Sequence, residues 1–170
     1  HTYAGYSTNV ESVAFSPDGQ HILIGSEGGT AKLWSLAGEE LRTLVGHRDR
    51  VYSLAFSPDG QYVITGSWDI TVKLWPLLAE EIQTFTGHSK DVFNVTFSPD
   101  GQTVLTGSED GTAKLWSLAG EEIQTFKGHS KSVFSVAFSP DGQTILTGSG
   151  DGTAKLWSLS GEELRTIKGG

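Results

Sequence analysis

The chain has 170 residues, a formal net charge of −8 and neither cysteine nor methionine. The missing cysteine excludes a disulfide frame and any thiolate site for zinc or redox chemistry. The acidic balance argues against nonspecific nucleic acid or anionic membrane partners, and no apolar run is long enough to span a bilayer.

Residues 1–4 read as the stub of a preceding outer strand. Four units follow, at 5–45, 46–86, 87–127 and 128–168, and residues 169–170 form a tail. Trp34, Trp75, Trp116 and Trp157 recur every 41 residues, as do Phe15, Phe56, Phe97 and Phe138. Each of those phenylalanines opens a Phe-Ser-Pro-Asp-Gly sequence. Self-similarity at this period dictates the architecture before any residue-level argument.

Every unit predicts four short strands. In the third, the first strand is Val92 to Phe97, and Ser98-Pro-Asp-Gly101 supplies turn chemistry. The apolar run Thr103 to Gly107 suits a strand buried on both faces. Glu109-Asp-Gly111 is a hairpin signal, followed by a strand from Thr112 to Trp116. Ser117 to Gly120 turns again, and Glu122 to Phe126 completes the unit. The expected class is all-β, with four-stranded antiparallel sheets arranged as propeller blades.

These units resemble WD40 repeats. The resemblance rests on Gly46-His47, Gly87-His88 and Gly128-His129, and on Ser67, Ser108 and Ser149. It also rests on Asp69, Asp110 and Asp151 and on the four tryptophans, and it covers nearly the whole chain. Unit one departs from the pattern, with Tyr6 in the histidine position and Gly28 in the aspartate position. The aspartate of the family's Trp-Asp pair is absent from all four units. The resemblance implies a propeller that binds partners on the face carrying the loops between blades and the turns between second and third strands.

The sets His47/Ser67/Asp69/Trp75, His88/Ser108/Asp110/Trp116 and His129/Ser149/Asp151/Trp157 invite two readings. Ser, His and Asp together make up a hydrolytic triad. The favoured reading is a buried relay, in which Asp accepts from His, His meets Ser, and Ser reaches the indole N–H of Trp. Three equivalent copies suit structure better than catalysis, so no enzyme activity, cofactor or metal site is expected. The Glu pairs 39–40, 80–81, 121–122 and 162–163 open each outer strand, where a solvated charged edge is expected.

Positions at which the copies disagree mark a candidate partner-binding face. Before the first strand's Val or at its start stand Asn9, Arg50, Asp91 and Ser132. After that Val come Glu11, Tyr52, Phe93 and Phe134. Before the turn Asp stand Glu27, Trp68, Glu109 and Gly150. Trp68, the one tryptophan off the repeat register, is expected to be exposed. Tyr52, Phe93 and Phe134 are either exposed anchors or wedges between blades.

Four blades in a ring would each turn about 90°, against about 45° for eight. The outer-strand residues Leu41, Leu44, Phe85, Phe126 and Ile167 are not bulky enough for the wider splay. A homodimer closing one eight-bladed ring is therefore expected. Closure with another chain is the runner-up. The functional expectation is a non-catalytic interaction scaffold in a cytoplasmic setting, free of nucleic acid and membrane partners. The alternative is an engineered or excised set of repeats without a native partner. A site in the central channel is least favoured, because Ser12, Ala14, Ser53, Ala55 and Ala137 are small and bring no chemistry.

Overall fold

Each Phe-Ser-Pro-Asp-Gly sequence closes on itself. In the first, Asp18 Oδ1 accepts from the Gln20 amide at 2.9 Å and from the Ser16 hydroxyl at 2.5 Å. Ser16 Oγ in turn accepts from the His21 amide at 3.0 Å. Gly19 takes a left-handed φ of 70°, and Gly60, Gly101 and Gly142 take 71–72° at the equivalent place. Only glycine adopts that conformation without strain. The turn therefore recurs unchanged and reverses the chain between the first two strands of every unit.

The computed structural model describes residues 1–170. Four antiparallel four-stranded sheets follow one another along the chain, each a simple meander. Blade 1 holds β1 (Val10–Phe15), β2 (His21–Ser26), β3 (Thr30–Ser35) and β4 (Glu40–Val45). Blade 2 holds β5 (Val51–Phe56), β6 (Tyr62–Ser67), β7 (Val72–Pro76) and β8 (Gln83–Phe85). Blade 3 holds β9 (Val92–Phe97), β10 (Thr103–Ser108), β11 (Ala113–Ser117) and β12 (Glu122–Phe126). Blade 4 holds β13 (Val133–Phe138), β14 (Thr144–Ser149), β15 (Thr153–Ser158) and β16 (Glu163–Lys168). The outer strand of blade 2 is only three residues long, after the divergent Leu77-Leu78-Ala79. No helix long and apolar enough to cross a membrane is present.

The core lies between blades rather than within them. Leu23, Ala31 and Leu44 of blade 1 pack on Val51, Leu54, Val63 and Trp75 of blade 2. Ile64, Val72, Leu74 and Phe85 pack in the same way on Val92, Val95, Phe97, Val104 and Trp116. Leu105, Ala113, Leu115 and Phe126 meet Val133, Val136, Ile145 and Trp157. The second strand touches the next blade so closely that a side chain has no room. A Cβ on Gly66 would lie 2.7 Å from Val95 and 2.8 Å from Val92. Polar groups link the inner strands as well: the Val95 amide donates to Ser53 Oγ at 3.1 Å, and the Val136 amide to Asn94 Oδ1 at 2.9 Å.

The arc of blades is open at its two ends. Val10, Val13 and Phe15 on blade 1 are 52%, 66% and 68% exposed. Their counterparts Val51, Val92 and Val133 are fully buried, and Leu54, Val95 and Val136 are at most 8% exposed. At the other end, Leu146 and Ile167 are 41% and 52% exposed, whereas Leu105 and Phe126 stand at 0% and 1%. A Cβ on Gly148 would meet nothing closer than 3.7 Å.

Candidate functional site

In each of blades 2, 3 and 4 a buried polar chain joins the loop between blades to the sheet. His88 Nδ1 donates to Asp110 Oδ2 at 2.8 Å. That fixes the tautomer and leaves Nε2 to accept from the Thr106 hydroxyl at 2.7 Å. Thr106 Oγ1 then accepts from the Trp116 indole N–H at 2.9 Å. The same geometry runs through His47, Asp69, Thr65 and Trp75 and through His129, Asp151, Thr147 and Trp157.

The expected serine is not the middle link. Thr65, Thr106 and Thr147 hold the place assigned to Ser67, Ser108 and Ser149. Ser67 Oγ instead accepts from the Asp69 amide and donates to the Asp49 carbonyl, both at 3.0 Å. Ser108 donates to the Asp91 carbonyl at 2.9 Å, and Ser149 to the Lys131 carbonyl at 3.2 Å. Serine and threonine lie two residues apart on one strand and face the same side, so spacing alone does not choose between them. These serines hold backbone carbonyls and do not meet the histidines, so no nucleophile–base pair forms from the set.

The signal that identifies threonine lies in blade 1. Ile24 stands at the threonine position there, Tyr6 at the histidine and Gly28 at the aspartate. All three members change together. The Tyr6 hydroxyl replaces the relay: it receives the Trp34 indole N–H at 3.4 Å and donates to the Ile24 carbonyl at 3.1 Å.

The relay aspartates are strongly acidic. Burial pushes the Asp69 and Asp110 carboxyls upward, but bonds from His, from the Thr71 and Thr112 hydroxyls and from backbone amides prevail. Both groups sit well below the ordinary carboxylate range. At Asp151 the Thr153 hydroxyl leads in the same direction, against burial and with help from His129.

The outer-strand glutamates are not simply solvated. Glu40, Glu122 and Glu163 receive Lys32, Lys114 and Lys155 from the third strand at 3.1, 2.5 and 2.7 Å.

The variable positions converge on one rim. The Glu27, Trp68, Glu109 and Gly150 amides donate to the carbonyls of Asn9, Arg50, Asp91 and Ser132 at 2.9–3.1 Å. The residue after each first-strand Val is a β-bulge, because Val51 pairs with Ser67 and Ser53 with Gly66, leaving Tyr52 unpaired. Glu11, Phe93 and Phe134 occupy the same bulge in their blades. A bulge redirects its side chain out of the ladder, and here four of them share one side of the arc.

The result is a row of aromatic rings across three blades. Tyr52 lies 5.5 Å from Trp68 and 5.7 Å from Phe93, and Phe93 stacks on Phe134 at 5.2 Å. Both open readings of these residues hold in part, since the rings bridge neighbouring blades while Tyr52 and Phe134 stay exposed. Trp68 departs from its expected exposure and is half-buried. The Arg50 guanidinium covers it at 4.7 Å and also binds Glu11 at 2.9 Å and Glu27 at 2.6 Å. The Trp68 indole N–H is buried without a partner. Next to it, Ile70 holds a left-handed φ of 70° where Gly29, Gly111 and Gly152 stand in the other blades. Farther along the rim, burial together with the Glu109 and Asp49 carboxylates pushes the Asp91 carboxyl up.

No curated protein matches the chain. A family model described as the IFT122 first beta-propeller matches residues 9–170. Four sequential meander sheets, cores shared between successive blades and this match over nearly all of the chain make it a repeat-built, WD40-type β-propeller that belongs to that family.

Proposed function

We propose that this chain is a non-catalytic protein-interaction scaffold, two copies of which close into one eight-bladed ring. The exposure of Val10, Val13 and Phe15 carries this reading. These residues are half of a junction that the chain makes three times internally. The other half, Leu146 and Ile167, lies open at the far end. Apolar faces of this kind are covered in soluble assemblies, and a second copy supplies the matching face. The aromatic row around Trp68 supports the scaffold reading. It places large rings and an arginine, the residues that dominate interface energetics, on one accessible rim. The strained Ile70 beside Trp68 adds to this, because left-handed β-branched residues cluster at binding loops.

Absolute mass by light scattering after size exclusion tests the assembly. Two chains of 18.2 kDa give a particle of about 36 kDa. A particle of single-chain mass at all concentrations overturns the ring.

A further inference from the structure

We infer that the aromatic rim at blades 2 to 4 docks an extended, arginine-bearing peptide segment of a partner protein, its guanidinium laid on the exposed rings and among the carboxylates beside them. This deepens the scaffold reading above. It is independent of the ring, because these blades adjoin within one chain.

The rim already holds one guanidinium of its own. Arg50 lies over the Trp68 ring at 4.7 Å and reaches Glu11 at 2.9 Å and Glu27 at 2.6 Å on blade 1. A flat, weakly hydrated cation suits such a seat, since its face stacks on a ring while its edge serves carboxylates.

One blade on, the cation is missing. Asp91 stands 41 residues after Arg50, so the equivalent position carries a negative charge. Burial and the nearby Glu109 and Asp49 carboxylates push the Asp91 carboxyl up. None of these three carboxylates forms an ion pair. Lys90 and Lys131 line a polar groove together with Glu109 but do not pair with it.

The apolar half of the seat is built. Phe93, two residues after Asp91, stands between Tyr52 and Phe134 at 5.7 and 5.2 Å. Tyr52 and Phe134 are exposed, and the row crosses three blades, a course that an extended segment follows. Exposed rings beside unpaired carboxylates are complementary to a cation on an apolar stem. Such a cation relieves the crowding of like charges, whereas an acidic partner adds to it. Arginine fits better than lysine, because its fork binds carboxylates while its plane stacks.

The test titrates the isotope-labelled full chain with capped Arg-Gly-Arg, Lys-Gly-Lys and Glu-Gly-Glu peptides and follows backbone amide shifts. Arg-Gly-Arg is expected to move the amides of Asp91, Phe93 and Glu109 and to bind more tightly than Lys-Gly-Lys, with Glu-Gly-Glu inert. Asp91→Asn with Glu109→Gln should weaken Arg-Gly-Arg about fivefold, and Phe134→Ala about threefold. Ser108 and Ser132 bond the backbone carbonyls of Asp91 and Glu109, not their carboxylates, so the double variant leaves the fold standing. Glu39→Gln with Glu162→Gln removes the same charge from the outer edge and should leave the affinity unchanged. Equal weakening by the two double variants overturns the inference, because net charge alone then attracts the peptide. Rim shifts with Glu-Gly-Glu but not with Arg-Gly-Arg overturn the cationic partner and leave the scaffold reading standing. A rim unmoved by all three peptides overturns the inference and removes the rim's support for the scaffold reading as well.

Discussion

Replacing Thr106 by valine isolates the relay's middle link. The two side chains have nearly the same shape, so the change removes a hydroxyl and little else. That hydroxyl serves the Trp116 indole at 2.9 Å and His88 Nε2 at 2.7 Å, and all three residues are buried. Water does not reach the two orphaned groups, and each costs about 1–3 kcal/mol. The added methyl returns about 0.8 kcal/mol. The net loss is about 1–5 kcal/mol, a fall of roughly 2–20 °C in melting temperature for a chain of this size. The assay is urea and thermal unfolding followed by circular dichroism, at fixed protein concentration because assembly adds to stability. Thr106→Ser keeps the hydroxyl and loses one methyl, so it should cost about 1 kcal/mol. Equal losses for valine and serine would refute the reasoning, since packing rather than hydrogen bonding would then account for the threonine. A Thr106→Val protein within about 0.5 kcal/mol of the parent would refute it as well.

Two further substitutions probe the turns. The Asp69, Asp110 and Asp151 carboxyls are depressed on folding, so their stabilisation is present above the unfolded value near 3.8 and is lost as pH falls below it. Asp110→Asn should lower the melting temperature at pH 7 and flatten its decline below about pH 4; an unchanged acid limb would contradict the pairing. Ile70→Gly removes a left-handed β-branched residue at a strain of about 1–2 kcal/mol, partly offset by the flexibility glycine adds to the unfolded chain. A gain of about 0.5–1 kcal/mol is expected in the same denaturation assay, and a loss would mean that Ile70 makes contacts worth more than its strain.

The sequence made the blades readable because turn and core residues sit at fixed offsets in every unit. The strand from Glu122 to Phe126 follows from that pattern alone. What it hid depended on geometry across strands. Thr106 and Ser108 share a face of one strand, so choosing between them needs the position of Trp116 on the next. The rim positions could be read from where the copies disagree, but the bulge that turns their side chains out of the ladder could not, because a bulge is a property of pairing and not of composition. Nothing in the string of letters says that Tyr52 leaves the ladder while Ser53 stays in it. The burial of Trp68 depends on Arg50, eighteen positions away, folding over its ring. The coupled change of Tyr6, Ile24 and Gly28 was on view throughout, but it acquires meaning only once threonine is known to lie between histidine and tryptophan.

A junction between two unlike faces has a hazard that a self-complementary one lacks. It either closes into a ring or continues as a filament. Val10, Val13 and Phe15 on blade 1 and Leu146 and Ile167 on blade 4 are two unlike faces of this kind. In the ring proposed above, the first junction between separate chains costs translational and rotational freedom. The second would form within a pair already joined, at high effective concentration, and escape most of that loss. Closure of two copies is therefore expected at protein concentrations below that effective value, and open arrays gain only as the concentration approaches it.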